Sequence, residues 1–190
     1  MNLRQQNYTS NDEYAFFDMD GTLVETDYAN FLAYKEAIKM VTNQDADLSF
    51  NPSIRFNQHT ITELNLNLSN LQYKRISQLK KSLFPKYLST TFVNSNVVEQ
   101  FINLSTSKTV VLVTNAHSQR ARQTMAHHGL GKFVDYMLCA DDRDQQSNKY
   151  QHAIDTFSAS PSQVIVFENE DKEIMNTLSA GMKIQNITKV

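Results

Sequence analysis

Cysteine, glycine, proline and net charge are all scarce in this chain of 190 residues. Its one cysteine, Cys139, excludes an internal disulfide framework and fits a reducing compartment. It lies in the apolar run Met137-Leu138-Cys139-Ala140 and reads as a core residue. A net charge of −2 gives no general attraction to nucleic acid or to an anionic membrane surface. No apolar run is long enough to span a bilayer, so no membrane partner is expected. Residues 1–12 are polar, lack the apolar core of a signal peptide and read as a loose leader. A cytoplasmic location is expected by default. The few breakers stand at boundaries: Pro52 lies in the turn segment Asn43–Ser53, Pro85 ends a helix, and Gly129 and Gly181 close two others. The length suits one domain, or a core with one insertion.

What is present is an alternation of strands and helices. Tyr14 to Asp18 reads as a buried strand, and Thr109 to Val113 is an unbroken β-branched run typical of a central parallel strand. Phe133–Leu138, Gln163–Phe167 and a short Lys183–Ile187 are the other strand candidates. Helices are expected at about 97–104, 118–128, 150–157 and 172–180. This order implies an α/β fold with a doubly wound parallel sheet. Between the first and second strands stand only helical patterns: Asp27 to Met40, capped by Thr26 or Asp27, then Thr60 to Leu66, then a longer helix from Ser69 to Pro85. The expected organisation is therefore an α/β core over 1–25 and 90–190, with a small all-helical insert over 26–89.

In such sheets ligands bind beyond the carboxyl ends of the strands. The first strand ends in Asp18-Met19-Asp20-Gly21-Thr22, where strand periodicity turns two carboxylates to one side. Held together there, they would repel unless a cation sat between them. The natural tenants are a hard divalent cation such as Mg²⁺ and a phosphorylated ligand.

Asp18-Met19-Asp20-Gly21-Thr22 resembles the first motif of the haloacid dehalogenase-like hydrolases. The resemblance implies a Rossmann-like core, with Asp18 as the nucleophile that forms an aspartyl-phosphate and Asp20 as the general acid and base. Thr114 and Asn115, after the second buried strand, resemble the second motif and imply contacts to phosphoryl oxygens, as does Thr22. Lys149 stands at the third motif and implies a cation beside the nucleophile. Phe167-Glu168-Asn169-Glu170-Asp171-Lys172-Glu173-Ile174, continuing to Ala180-Gly181-Met182, is similar to the fourth motif of the β-phosphoglucomutase-like branch. Three positions depart from that pattern. The usual metal-binding aspartate is Asn169, a serine is Glu170 and a glycine is Glu173. The implied Mg²⁺ ligands are Asp18, Asp20, Glu168 and Asn169, with Glu173 one turn on to hold a metal-bound water.

The helical insert stands where this superfamily carries a cap, which implies a role in substrate selection. Arg55 and His59 are its candidate substrate contacts. The basic run Lys74, Arg75, Lys80, Lys81 and Lys86 reads as a solvated face. The expectation is a Mg²⁺-dependent phosphatase acting on a small phosphorylated metabolite. The alternative is a degenerate relative that binds a phosphorylated ligand or a protein partner without turnover.

Overall fold

The computed structural model describes residues 13–44, 47–52, 55–56, 58–63, 66–144 and 147–190. Its centre is β1 (Tyr14–Phe17), flanked by two parallel strands, β4 (Thr109–Val113) and β6 (Val164–Glu168). Outside them lie β5 (Tyr136–Leu138) against β4 and β7 (Ile187–Lys189) against β6. The order β5-β4-β1-β6-β7 places the chain's reversal at β1, between its two neighbours. A doubly wound sheet opens its ligand crevice at such a point.

Alternation along the strands builds two cores, one on each face. Ala15, Phe17, Val110 and Leu112 face Val97 and Phe101 of α4 (Ser95–Leu104) and Ala121 and Met125 of α5 (Ser118–His127). Phe17 stacks on Phe167 with ring centroids 4.4 Å apart and meets Phe101 edge-on at 5.1 Å. On the other face Phe16, Val111, Val113 and Val166 pack against Tyr150, Ala153, Ile154 and Phe157 of α6 (Lys149–Phe157). The last helix, α7, spans Asp171–Ser179.

Two chain crossings leave this core and return to it as a short antiparallel pair, β2 (Val24–Glu25) with β3 (Phe92–Val93). Between them lie α1 (Asp27–Thr42), α2 (Gln58–Glu63), α3 (Asn70–Leu83) and a 3-10 helix over Phe84–Thr90. These helices share their own core of Phe31, Tyr34, Ile38, Phe56, Ile61 and Ile76. The amino end of α3 carries the reciprocal cap expected of Ser69 followed by Gln72. Pro85 stands at the start of the 3-10 helix, where its missing N–H costs no α-helical bond.

Several expectations shift. The strand expected over Phe133–Leu138 is confined to Tyr136–Leu138, because Gly131–Phe133 forms a 3-10 turn, and the helix expected over Thr60 to Leu66 runs over Gln58–Glu63. The final strand runs over Ile187–Lys189 rather than 183–187, because Ile184–Asn186 forms a 3-10 turn and β6 pairs Val166 with Ile187. Thr26 stands before α1 but its hydroxyl does not cap it; it donates to Asp20 at 2.6 Å instead.

Cys139 lies in the core as expected. Burial, then the neighbouring Asp142 and Asp141, push its thiol up to about 12. At pH 8 the reactive thiolate is then on the order of one part in ten thousand. A disulfide reagent should leave the native protein unlabelled over minutes and label it fully in denaturant. Rapid labelling of the native protein would contradict this placement.

Candidate active site

The site is assembled from the carboxyl ends of β1, β4 and β6 and the first residue of α6. Lys149, only 2 % exposed, donates to Asp18 Oδ1 at 2.7 Å and to Glu168 Oε2 at 2.9 Å. Burial works against its ammonium, but Asp18 and Glu168 outweigh that and hold its proton more firmly than usual. Asp18 is the counterpart. Burial pushes its carboxyl up and Lys149 pulls it down, while Glu168 and Asp20 push it up again, for a net rise to about 7. The floor of the site thus carries more negative charge than the chain itself neutralises.

Glu168 is fully buried and both its oxygens are engaged. Oε2 accepts from Lys149 and from the Tyr150 hydroxyl at 2.7 Å; Oε1 accepts the N–H groups of Asn169 and Glu170 at 2.9 and 3.0 Å. Its geometry is that of an anchor for Lys149. Thr114, also fully buried, accepts the Ala116 N–H at 3.0 Å, which leaves its own proton to donate. Asn115 donates to Glu173 Oε1 at 3.2 Å, and Asn176 donates to Glu173 Oε2 at 3.2 Å.

Asp20 is held differently. Arg120, on the first turn of α5, grips it with two parallel bonds of 2.6 and 2.5 Å, and Thr26 adds its own. Burial would raise this carboxyl. Arg120 outweighs burial, aided by Arg55 and Thr26, and holds it well below the usual carboxylate range.

Gly21 turns the chain with φ of 84°, a left-handed conformation open to glycine at little cost. A Cβ there would collide with the amide of Asn169, which lies over this turn. That amide has two orientations. In one, the Thr22 hydroxyl donates to Asn169 Oδ1 at 3.1 Å. In the other, the amide nitrogen donates to the Asp20 carbonyl at 3.3 Å and to Thr22 Oγ1 and Glu168 Oε1 at 3.1 Å. The surplus negative charge and the oxygen donors of Asp18, the Asp20 carbonyl and Asn169 fit a hard divalent cation.

A cleft of about 440 Å³ opens above this floor. The helical insert lines it with Asn30, Tyr34, Arg55, Phe56, Ser77 and Lys80, and the core with Asp20, Asn115, Arg120 and Glu173. Arg55 lines the cleft, where it is ion-paired with Glu170 and lies 3.9 Å from Asp27. His59 falls within α2, and its side chain lies outside the described residues.

Arg120 is absent from the sequence reading, and Lys80 enters it only within the basic run assigned to a solvated face. Both left a trace. Arg120 is a cation in the first turn of a helix, where the dipole disfavours it. Lys80 follows the buried Ile76 by four residues, which puts it on the inner face of α3. It is therefore not on the solvated face that the basic run suggested.

A parallel sheet whose central strand leads into Asp18 and Asp20, with a lysine bridging Asp18 to the neighbouring strand, is a Rossmann-like α/β core with an acidic site at its strand ends and a helical insert after the first strand. The haloacid dehalogenase-like hydrolase family model matches residues 15–187, and the chain belongs to that family. No curated protein matches the sequence. Among solved structures, a predicted phosphoglycolate phosphatase from Haemophilus somnus superposes with a TM-score of 0.75 at 17% identity, over 95% of this chain and 85% of its own. A Thermotoga maritima protein assigned as a β-phosphoglucomutase gives 0.66 at 21% identity, over 93% and 84%. CbbY from Rhodobacter sphaeroides, solved with phosphate, gives 0.73 at 14% identity, over 90% and 84%. At these identities the likeness is one of fold. No helix among the described residues is long and apolar enough to cross a membrane.

Proposed function

We propose that this hydrolase is a Mg²⁺-dependent phosphatase that cleaves a small phosphorylated metabolite through an aspartyl-phosphate on Asp18. The observation that carries this reading is the buried Lys149 ammonium bridging Glu168 and Asp18, the latter two residues along the chain from Asp20, which lines the cleft. The phosphate bound to CbbY accords with it.

In the first half-reaction an Asp18 oxygen attacks phosphorus, the Asp18–phosphorus bond forms and the ester oxygen leaves with a proton from Asp20. In the second, Asp20 takes a proton from water, the water oxygen bonds to phosphorus and the Asp18 carboxylate is released. Lys149 offsets charge on the phosphoryl group throughout, and the Thr114 hydroxyl with Asn115 and Thr22 holds its oxygens. Asp20 under Arg120 is ionised, which suits its second role. Its first role requires that grip to open. Asp18, the Asp20 carbonyl and the Asn169 side chain would hold the metal, with Glu173 placed for a metal-bound water and Glu168 acting through Lys149. Bound Mg²⁺ supplies Lewis-acid polarisation of the phosphoryl oxygens. Residues 26–89 act as the cap that excludes water and selects the leaving group.

Aryl phosphate hydrolysis with and without Mg²⁺ tests the proposal. Turnover that needs the metal is expected, and no turnover at any Mg²⁺ concentration would refute it. Asn169→Asp should tighten the apparent Mg²⁺ affinity, on the order of tenfold, because ligand charge sets affinity at such sites. An unchanged affinity would remove Asn169 from the direct ligands.

A further inference from the structure

The cleft carries more positive charge than it needs. Five cations line it, Arg55, Lys80, Lys81, Arg120 and Lys172, against the three carboxylates of Asp20, Glu170 and Glu173. Arg55 is answered by Glu170 and Arg120 by Asp20. Among the described residues Lys81 meets a histidine, His117, at 2.9 Å, and no carboxylate. Lys80 has no ion pair among the described residues. Its ammonium lies 5.1 Å from the ring centroids of both Tyr34 and Phe84, and Arg120 approaches the same Phe84 ring at 5.2 Å. Asp20 is not its missing partner: Arg120 and Thr26 already occupy the Asp20 carboxylate oxygens. Nor is Lys80 needed for the transferred phosphoryl group, whose cation is Lys149.

We infer that Lys80, flanked by Lys81 and Arg120, is the seat of a second oxyanion of the substrate, a carboxylate or a second phosphate distal to the phosphoryl group that is cleaved. This rests on the phosphatase reading and narrows its substrate class to molecules with two anionic ends. The electrostatics agree. Burial, then Arg120, pull the Lys80 ammonium down to about 7, with Lys81 and Arg55 adding to this and Asp20 opposing it. A cation crowded by other cations gains most from an arriving anion. The rings of Tyr34 and Phe84 flank the ammonium itself, so it is already placed before an anion arrives and little freedom is lost on binding.

The test is calorimetric binding of alkylphosphonates in the presence of Mg²⁺. The set shares one phosphonate end and differs at the other: a methyl group, a carboxylate or a second phosphonate, on chains of two to four carbons. The doubly anionic probes should bind about ten- to a hundredfold more tightly than the methyl-ended ones, the range expected of a charge-assisted contact. The tighter of the two anionic ends identifies the natural group. Lys80→Met should collapse the preference to within about threefold, whereas Lys80→Arg should retain it; melting temperatures confirm that both variants fold. A merely structural lysine would weaken all probes alike. Equal binding of all probes by the parent, or a preference that survives Lys80→Met, would overturn the inference while leaving the phosphatase reading intact. Failure of every phosphonate to bind would overturn both.

Discussion

Asp18→Asn should abolish hydrolysis, by about a thousandfold or more, in a protein that folds as the parent does. Asparagine matches the shape of aspartate but its amide is a poor nucleophile toward phosphorus. The surroundings tolerate the change. Burial raises the Asp18 carboxyl above the usual range, and repulsion from Glu168 and Asp20 adds to the rise. Removing its charge relieves that repulsion and leaves Lys149 paired with Glu168 at 2.9 Å. Unfolding in urea should therefore show stability at least equal to that of the parent. Activity within tenfold of the parent, with a normal unfolding curve, would place the nucleophile elsewhere.

Glu168→Ala should be the most destabilising change in the site, costing about 3–5 kcal/mol as a buried ion pair loses one partner. Four donors converge on this carboxylate: Lys149, Tyr150 and two main-chain N–H groups. Truncation orphans all four in a place that water does not reach, since Glu168 is wholly buried. The Tyr150 hydroxyl, which burial and then Glu168 keep firmly protonated, loses its acceptor. The denaturation midpoint measures the effect. A loss below about 1 kcal/mol would mean that the Lys149 ammonium is held mainly by Asp18.

Much of this was legible because buried parallel strands write themselves plainly. Thr109 to Val113 and Gln163 to Phe167 are near-continuous runs of β-branched and apolar residues, so composition and length identified them. The two-residue strands Val24–Glu25 and Phe92–Val93 carry no period at all and exist only through pairing with each other. Lys183 to Ile187 looked like a strand because of its isoleucines, but its register is set by β6, which no local pattern records. In the site, Asp18, Asp20, Thr114, Lys149 and Glu168 stand at predictable strand ends or at the start of a helix. What could not be read was how their atoms are shared. Glu168 has acidic chemistry, yet its oxygens are consumed by protein donors. Arg120 lies a hundred positions from Asp20 along the chain and meets it only when α5 packs beside β1. Lys80 and Arg120 become neighbours only because a ring from the returning insert, Phe84, lies against both.

The claim on which the account turns is that Asp18 becomes phosphorylated. The direct measurement is chemical trapping during turnover of an aryl phosphate: acid quench, borohydride reduction of any acyl phosphate, digestion and mass spectrometry of the peptide that contains Asp18. The account predicts homoserine at position 18, dependent on substrate, and absent when Asp18→Asn is treated in the same way. An active enzyme in which position 18 remains aspartate, with the acyl phosphate trapped at another carboxylate, would contradict it.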